Sequence, residues 1–449
     1  MRASHHTPPP PASDVSTAVG LAGLLGLALW ILFCRNYGII AEALALSGPR
    51  GPLSGPYASL AALLFTAGPM VIWSVLVDKV HWRSSTGIDW KNARPVSEIM
   101  HVSTVKIAGL WATWAIIAGL YCLGRWYWEG QYLFAMKVLG VALIPMVVLS
   151  VPYVIWLDRR MVDPRDHAWH FGAMLLGREA YDRDEVKKHW RAWIIKGFFG
   201  AFMISILPGG FQQIVEADLA SLAGNPVALA LFLITLLFLV DVQIGTVGYL
   251  VTFRPLDAHI RSGNPFLSGW VAALICYPPL AWGVLGNILK YEVNTPGWAN
   301  TLAEQSTLLY LWGGWLVVLT AIYAWATVVF GIRFSNLTYR GVLTNGPYRY
   351  TRHPAYLSKN AYWWFATLPF IVNADGSLVD MIRNTFFLGC VSAIYYWRAK
   401  TEEAHLLAED PKYSEYYDWM EEHGVITAPL SRLKRKLRPR GPVLEAPAE

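Results

Sequence analysis

The sequence predicts an all-α, polytopic integral membrane protein of about ten transmembrane helices, with its N- and C-termini in the cytoplasm. Composition is the first reason. Of 449 residues, 55% are hydrophobic and 15% charged, well below the roughly 25% charged that soluble domains carry. The second reason is that the apolar residues fall in runs near the ~20 residues needed to cross a bilayer. The third is the placement of Lys and Arg. With the N-terminus inside, the segments around Arg83, Arg160, Arg254, Arg349 and Lys434 are all cytoplasmic. The weakly charged links around Ser47, Glu129, Gly224, Thr295 and Asp375 are then all external, as the positive-inside rule requires.

In chain order, residues 1–16 are polar and proline-rich and are expected to be disordered. Residues 17–304 read as an N-terminal multi-span region. Its first run, 17–34, is longer than a signal-peptide core and reads as a retained helix. Spans follow at 58–77, 107–123, 133–157, 193–215, 227–251 and 266–289. Trp126-Tyr127-Trp128 reads as an aromatic belt at the interface. Pro208-Gly209-Gly210 is expected to kink or end the fifth span, and Lys196 can snorkel. The basic stretch 158–191, with Arg159, Arg160, Lys187 and Lys188, is expected to be a cytoplasmic surface helix or lid on the membrane. Residues 305–425 form a second membrane region with spans at 308–330, 357–372 and 381–397. Residues 426–449 read as a basic, disordered tail.

Several function classes find no support. Cys34, Cys122, Cys276 and Cys390 have neither disulfide-framework nor metal-ligand spacing. Phosphate-binding glycine loops, a nucleophile elbow and zinc-protease motifs are absent from the sequence. His167 and His170 read as interfacial histidines, and no metal is expected. The net charge of +6 arises beside apolar runs, so the expected partner is the lipid bilayer and not nucleic acid. Asp241 and Gln243 lie mid-span, where a polar group either lines a cavity or joins helices.

Chemistry concentrates in two C-terminal elements. Asn345-Gly346-Pro347-Tyr348-Arg349-Tyr350-Thr351-Arg352-His353-Pro354-Ala355-Tyr356 crowds charges, a histidine and tyrosines between two prolines. Each proline pushes the preceding residue out of the helical region, so the stretch is a kinked linker. Polar backbone beside a bilayer is tolerated where it is packed in protein or lines a cavity. The second element, Arg398-Ala399-Lys400-Thr401-Glu402-Glu403, is followed by Asp410-Pro411 and by Tyr413, Tyr416 and Tyr417. Asp410 can cap a helix that begins at Pro411. On that helix the tyrosines and Met420 form one stripe.

The pair of elements resembles the C-terminal signature of the isoprenylcysteine carboxyl methyltransferase and phospholipid methyltransferase superfamily. The resemblance covers about the last quarter of the chain. It implies S-adenosyl-L-methionine as cofactor and methyl donor, and a lipid-attached or apolar acceptor, with carboxylate or thiolate favoured. It also implies an active site on the cytoplasmic face of a bacterial inner membrane or endoplasmic reticulum. Tyr348, His353, Tyr356, Glu402 and Glu403 are the implied cofactor-binding residues, with Tyr362 a further aromatic candidate. Arg349 and Arg352 are the implied catalytic residues, either able to hold an acceptor carboxylate. Adjacent Glu402 and Glu403 point about 100° apart on a helix, so one of them faces the pocket squarely. The chain departs from the family in carrying Ser358-Lys359-Asn360 where many members have Gly. It also lacks the Gly-x-Gly of the amine-methylating branch. Two alternatives stay open: an NADPH-dependent oxidoreductase like the membrane sterol reductases, and a non-enzymatic transporter or lipid-binding protein.

Overall fold

The computed structural model describes residues 9–48, 50–372 and 376–437. The helices are α1 (Thr17–Arg35), α2 (Tyr37–Ala43), α3 (Pro56–Leu76), α4 (Val96–Leu123), α5 (Tyr132–Asp158), α6 (His167–Leu176), α7 (Arg183–Glu216) and α8 (Pro226–Leu250). They continue with α9 (Leu267–Leu274), α10 (Leu280–Gly283), α11 (Gly297–Thr301), α12 (Ser306–Val328), α13 (Pro354–Thr367), α14 (Leu378–Glu409), α15 (Pro411–His423) and α16 (Thr427–Leu437). Among the described residues, eight helices are long and apolar enough to cross a membrane: α1, α3, α4, α5, α7, α8, α12 and α14.

The other two expected spans take different forms. Residues 266–289 are not one helix: α9 ends, Pro278 and Pro279 interrupt the N–H ladder, and α10 leads into a π-turn at Val284–Ile288. The span expected at 357–372 is α13, 14 residues long. It ends at Leu368, whose φ of 48° is left-handed. Both segments run beside α14. Asn264 Nδ2 donates to Thr401 O (3.3 Å), and Asn384 Nδ2 donates to Val293 O (2.7 Å). These bonds tie the two ends of the broken segment to the two ends of α14. Trp364 Nε1 donates to Ser392 Oγ (3.1 Å), joining α13 to the middle of the same helix.

Close helix approach in the core rests on small residues. Along α1, a Cβ at Gly20 would lie 1.9 Å from Val328 O, and one at Gly26 would lie 1.9 Å from Phe65 O. A side chain at either position would drive α1 off α12 or α3. Asp241 on α8 accepts from Tyr323 Oη (2.9 Å) and from Thr327 Oγ1, both on α12. Gln243 is buried and donates to Ser59 O (3.3 Å). Both residues join helices, and Asp241's two partners also line the cavity described below.

Of the kink or end expected at Pro208-Gly209-Gly210, the end does not occur, since α7 is helical from Arg183 to Glu216 with Pro208 inside it. In the basic stretch 158–191, α6 buries Trp169, Phe171 and Ala173 against its neighbours. Its N-cap Asp166 also receives Lys106 Nζ at 3.2 Å, and Lys106 bonds buried Asp158 at 2.5 Å.

The expected N-terminal disorder fails for residues 11–16, because the Asp14 carboxylate and nearby backbone find partners. Asp14 accepts from Lys412 Nζ (2.6 Å) and Val342 N (2.7 Å), and its carbonyl accepts from Arg83 (2.7 Å). Pro11 O accepts from Thr344 (2.6 Å), and Val15 O from Asn345 (3.0 Å). Residues 1–8 lie outside the described residues. In the expected tail, 427–437 is α16, and 438–449 lie outside the described residues.

The turn after α12 is the platform for the site. A short antiparallel ladder pairs β1 (Ser262–Gly263) with β2 (Thr338–Tyr339), in register Ser262 with Tyr339. Arg340 fans its guanidinium onto carbonyls of Gly248 (2.8 Å), Phe334 (3.0 Å) and Ile332 (2.9 Å), and onto Ala258 O. A cation at the carbonyl end of α8 also suits the helix dipole. Arg333 bonds buried Asp257 at 2.5 Å.

Candidate active site

The kinked linker forms as its prolines dictate. Gly346–Arg349 is one 3-10 turn, and Pro354 opens α13 at its first position. Gly346 has φ +56°, and a Cβ there would lie 2.6 Å from Val329, so both backbone and space require glycine. Asp410 caps α15 through Lys412 N (2.9 Å), with Pro411 first in the helix. Tyr413, Tyr416 and Met420 are buried against Tyr339 and Val342. Tyr416 Oη donates to Tyr348 O at 2.6 Å, locking α15 onto the linker.

A cavity of about 170 Å³ lies among α12, α13, α14 and this platform. Its walls include Tyr277, Asn336, Tyr356, Tyr395, Arg398 and Glu402, with His353, Tyr413 and Tyr416 at the linker end.

The adjacent glutamates divide their work. Glu402 lines the cavity, accepts from Tyr356 Oη and lies 3.7 Å from Arg398 Nε. Glu403 is 4% exposed and turns away. It takes Arg352 Nε (2.9 Å), His353 Nε2 (3.0 Å) and Lys400 Nζ (2.6 Å). Glu403 therefore holds the linker against α14, and Glu402 is left to face a ligand.

Arg398 is the centre of the wall. Its Nη2 donates to Asn336 Oδ1 (2.7 Å) and Tyr277 Oη (3.3 Å). Its guanidinium lies over the rings of Tyr356 (5.1 Å), Tyr277 (5.3 Å) and Tyr395 (5.7 Å). Among the described residues its Nε is buried with no hydrogen-bond partner, Glu402 Oε1 lying 3.7 Å away. A buried N–H of this kind is costly unless something accepts from it, and an anionic ligand oxygen would. His353 stacks on Tyr356 (5.7 Å, 8°).

The two expected catalytic arginines fare differently from Arg398. Arg349 is exposed and does not line the cavity, because the 3-10 turn points it outward. Arg352 does line it. Its guanidinium, however, is committed to Glu403, to Glu421 (2.9 Å) and to the face of Tyr417 (3.9 Å). Burial works against the Arg352 charge, but the two carboxylates outweigh it and hold its pKa above the ordinary arginine value. Tyr348 and Tyr356 line the cavity. Tyr362 instead packs with Phe238 and the α12 cluster.

From the sequence, Arg398 is named only as part of the second C-terminal element. Its i,i+4 spacing from Glu402 was the available signal. Tyr277 and Asn336 had no signal, since they come from distant segments. Among the described residues, no group of three or more His, Cys, Asp or Glu could hold a metal ion.

Residues 308–408 match the model of the isoprenylcysteine carboxyl methyltransferase (ICMT) family. The ICMT-matched stretch supplies α12, the linker, α13 and nearly all of α14, and with them His353, Tyr356, Arg398, Glu402 and Glu403. Tyr277, Tyr413 and Tyr416 complete the cavity from outside it. No curated protein and no solved structure matches the chain.

Proposed function

We propose that this chain is a membrane-embedded methyltransferase that uses S-adenosyl-L-methionine and methylates a lipid-attached or strongly apolar acceptor. The observation that carries this reading is a cavity, lined largely by the ICMT-matched region, that gathers a carboxylate, a buried arginine N–H with no hydrogen bond among the described residues and several tyrosine faces. These groups fit the donor's chemistry. Glu402 is suited to its ammonium or ribose hydroxyls, and Arg398 to its carboxylate. The rings of Tyr348 and Tyr356 suit its sulfonium, and His353 its adenine. When bound, the donor supplies a methyl group already activated by the sulfonium charge.

The chain's own residues have little proton chemistry to perform. A carboxylate or thiolate acceptor carries no proton to remove, so no general base is required. The walls orient the two reactants and keep water out, an effect worth several kcal/mol of the barrier. Arg352, tied to Glu403 and Glu421, acts by positioning the linker. With the α9–α10 segment and α13 each crossing beside α14, the chain makes ten membrane passes and both termini lie on one side, which the distribution of Lys and Arg favours as the cytoplasmic one, with the cavity beside it.

Heat denaturation of the purified protein with S-adenosylhomocysteine or with NADPH tests this reading. A ligand that binds the native state raises the midpoint. Stabilisation by S-adenosylhomocysteine alone is expected, and stabilisation by NADPH alone would replace this reading with the reductase one.

A further inference from the structure

Five cationic side chains line the cavity: Arg333, Arg340, Arg352, Lys359 and Arg398. Four are engaged. Arg333 bonds Asp257, Arg352 bonds Glu403 and Glu421, Arg340 bonds backbone carbonyls, and Arg398 bonds Asn336 beside Glu402. Lys359 is different. Among the described residues its ammonium has no hydrogen bond and no ion pair within reach, only rings: Tyr323 and Trp363 at 5.3 Å and Tyr395 at 5.8 Å. Aromatic faces attract a cation, but they leave its three N–H donors untaken. Asp241 acts on Lys359 through space, yet its oxygens are taken by Tyr323 and Thr327.

We propose that Lys359 is an anion-binding subsite, which holds a carboxylate or phosphate group of an apolar ligand in the cavity. This deepens the reading above and rests on the cavity being a ligand site. Lys359 lies six residues along α13 from His353, about 9 Å at 1.5 Å per residue. It is displaced from His353 and adjoins the donor groups through Tyr395, whose ring takes Lys359 at 5.8 Å and Arg398 at 5.7 Å. The surrounding rings offer the rest of the ligand an apolar wall. Lys359 thus selects acceptors by charge, in a position that a glycine could not serve.

The test uses the full chain in non-ionic detergent, with decanoate, decyl phosphate and decanol as probes and thermal midpoint as readout. The parent should bind at least one anion about tenfold or more tightly than decanol, as expected for a hydrogen bond to a charged group. Whichever anion ranks first identifies the group. Lys359→Arg should keep the preference and Lys359→Met should lose it. Asp241→Asn/Lys359→Met removes both charges, so no lone buried charge is left if the single variant folds poorly, and it should also lose the preference. Retention of the preference in the neutral variants, or equal binding of decanol and both anions by the parent, overturns the subsite. S-adenosylhomocysteine is measured in parallel. Its failure to stabilise the parent would sink the methyltransferase reading while leaving a Lys359-dependent anion preference intact.

Discussion

Replacing each of the two adjacent glutamates by glutamine should produce opposite phenotypes. Glu403 has a side chain 5% exposed and accepts from Arg352, His353 and Lys400. Glu403→Gln removes the charge those donors share and turns an amide N–H toward one of them. Breaking a buried pair in this way costs about 3–5 kcal/mol. The lower end applies here, because Arg352 keeps Glu421 at 2.9 Å. The thermal midpoint should fall by several degrees. Glu402 has a side chain 24% exposed, one hydroxyl donor and an arginine at 3.7 Å. Arg398 retains Asn336 and Tyr277 when Glu402 is neutral, so the midpoint should change little. Donor binding should suffer instead. A hydrogen bond to a charged group is worth about 1.5–3 kcal/mol, or roughly 10- to 150-fold in Kd. The assay is S-adenosylhomocysteine titration of both variants, beside their unliganded melting curves. If Glu403→Gln weakens binding with an unchanged midpoint while Glu402→Gln binds as the parent does, the division of labour is reversed and the cavity wall is misassigned.

Reporters fused after Arg440 or inserted beside Asn345 should be cytoplasmic, and one beside Asp375 external; Asn345 and Asp375 on one side would mean that α13 does not cross. The N-terminal strap should be pH-sensitive. Burial pushes the Asp14 carboxyl up, but the hydrogen bonds from Lys412 and Val342 outweigh it and hold its pKa below the ordinary 3.8. A depressed carboxylate pKa stabilises the fold above its unfolded value and loses that contribution as pH falls through the folded one. Limited proteolysis near Pro11 should therefore be slow at pH 5 and above and accelerate below about 3.8. Asp14→Asn should be cut quickly at neutral pH, and equal rates for parent and variant there would exclude the carboxylate as the latch.

The membrane character, the boundaries of most long helices and the linker–helix pair of the site were legible in the amino-acid sequence, because each depends on local properties. Apolar runs must be buried away from water, Pro347 and Pro354 restrict their own neighbours, and Asp410-Pro411 favours a helix start. That His353, Tyr356 and Glu402 line one cavity agrees with the expectation drawn from the family resemblance. Direction and partnership were decided only in three dimensions. Which glutamate faces the cavity depends on how α14 is rotated against the linker. Tyr277 reaches Arg398 from a segment 121 positions away, and Asp14 reaches Lys412 across 398. The outward turn of Arg349 and the commitment of Arg352 to Glu403 and Glu421 likewise follow from packing. A charged side chain's role is set by which other charges the fold leaves within a few ångströms, and spacing along the chain records only the pairs within one helix, such as Arg398 with Glu402 and Lys400 with Glu403.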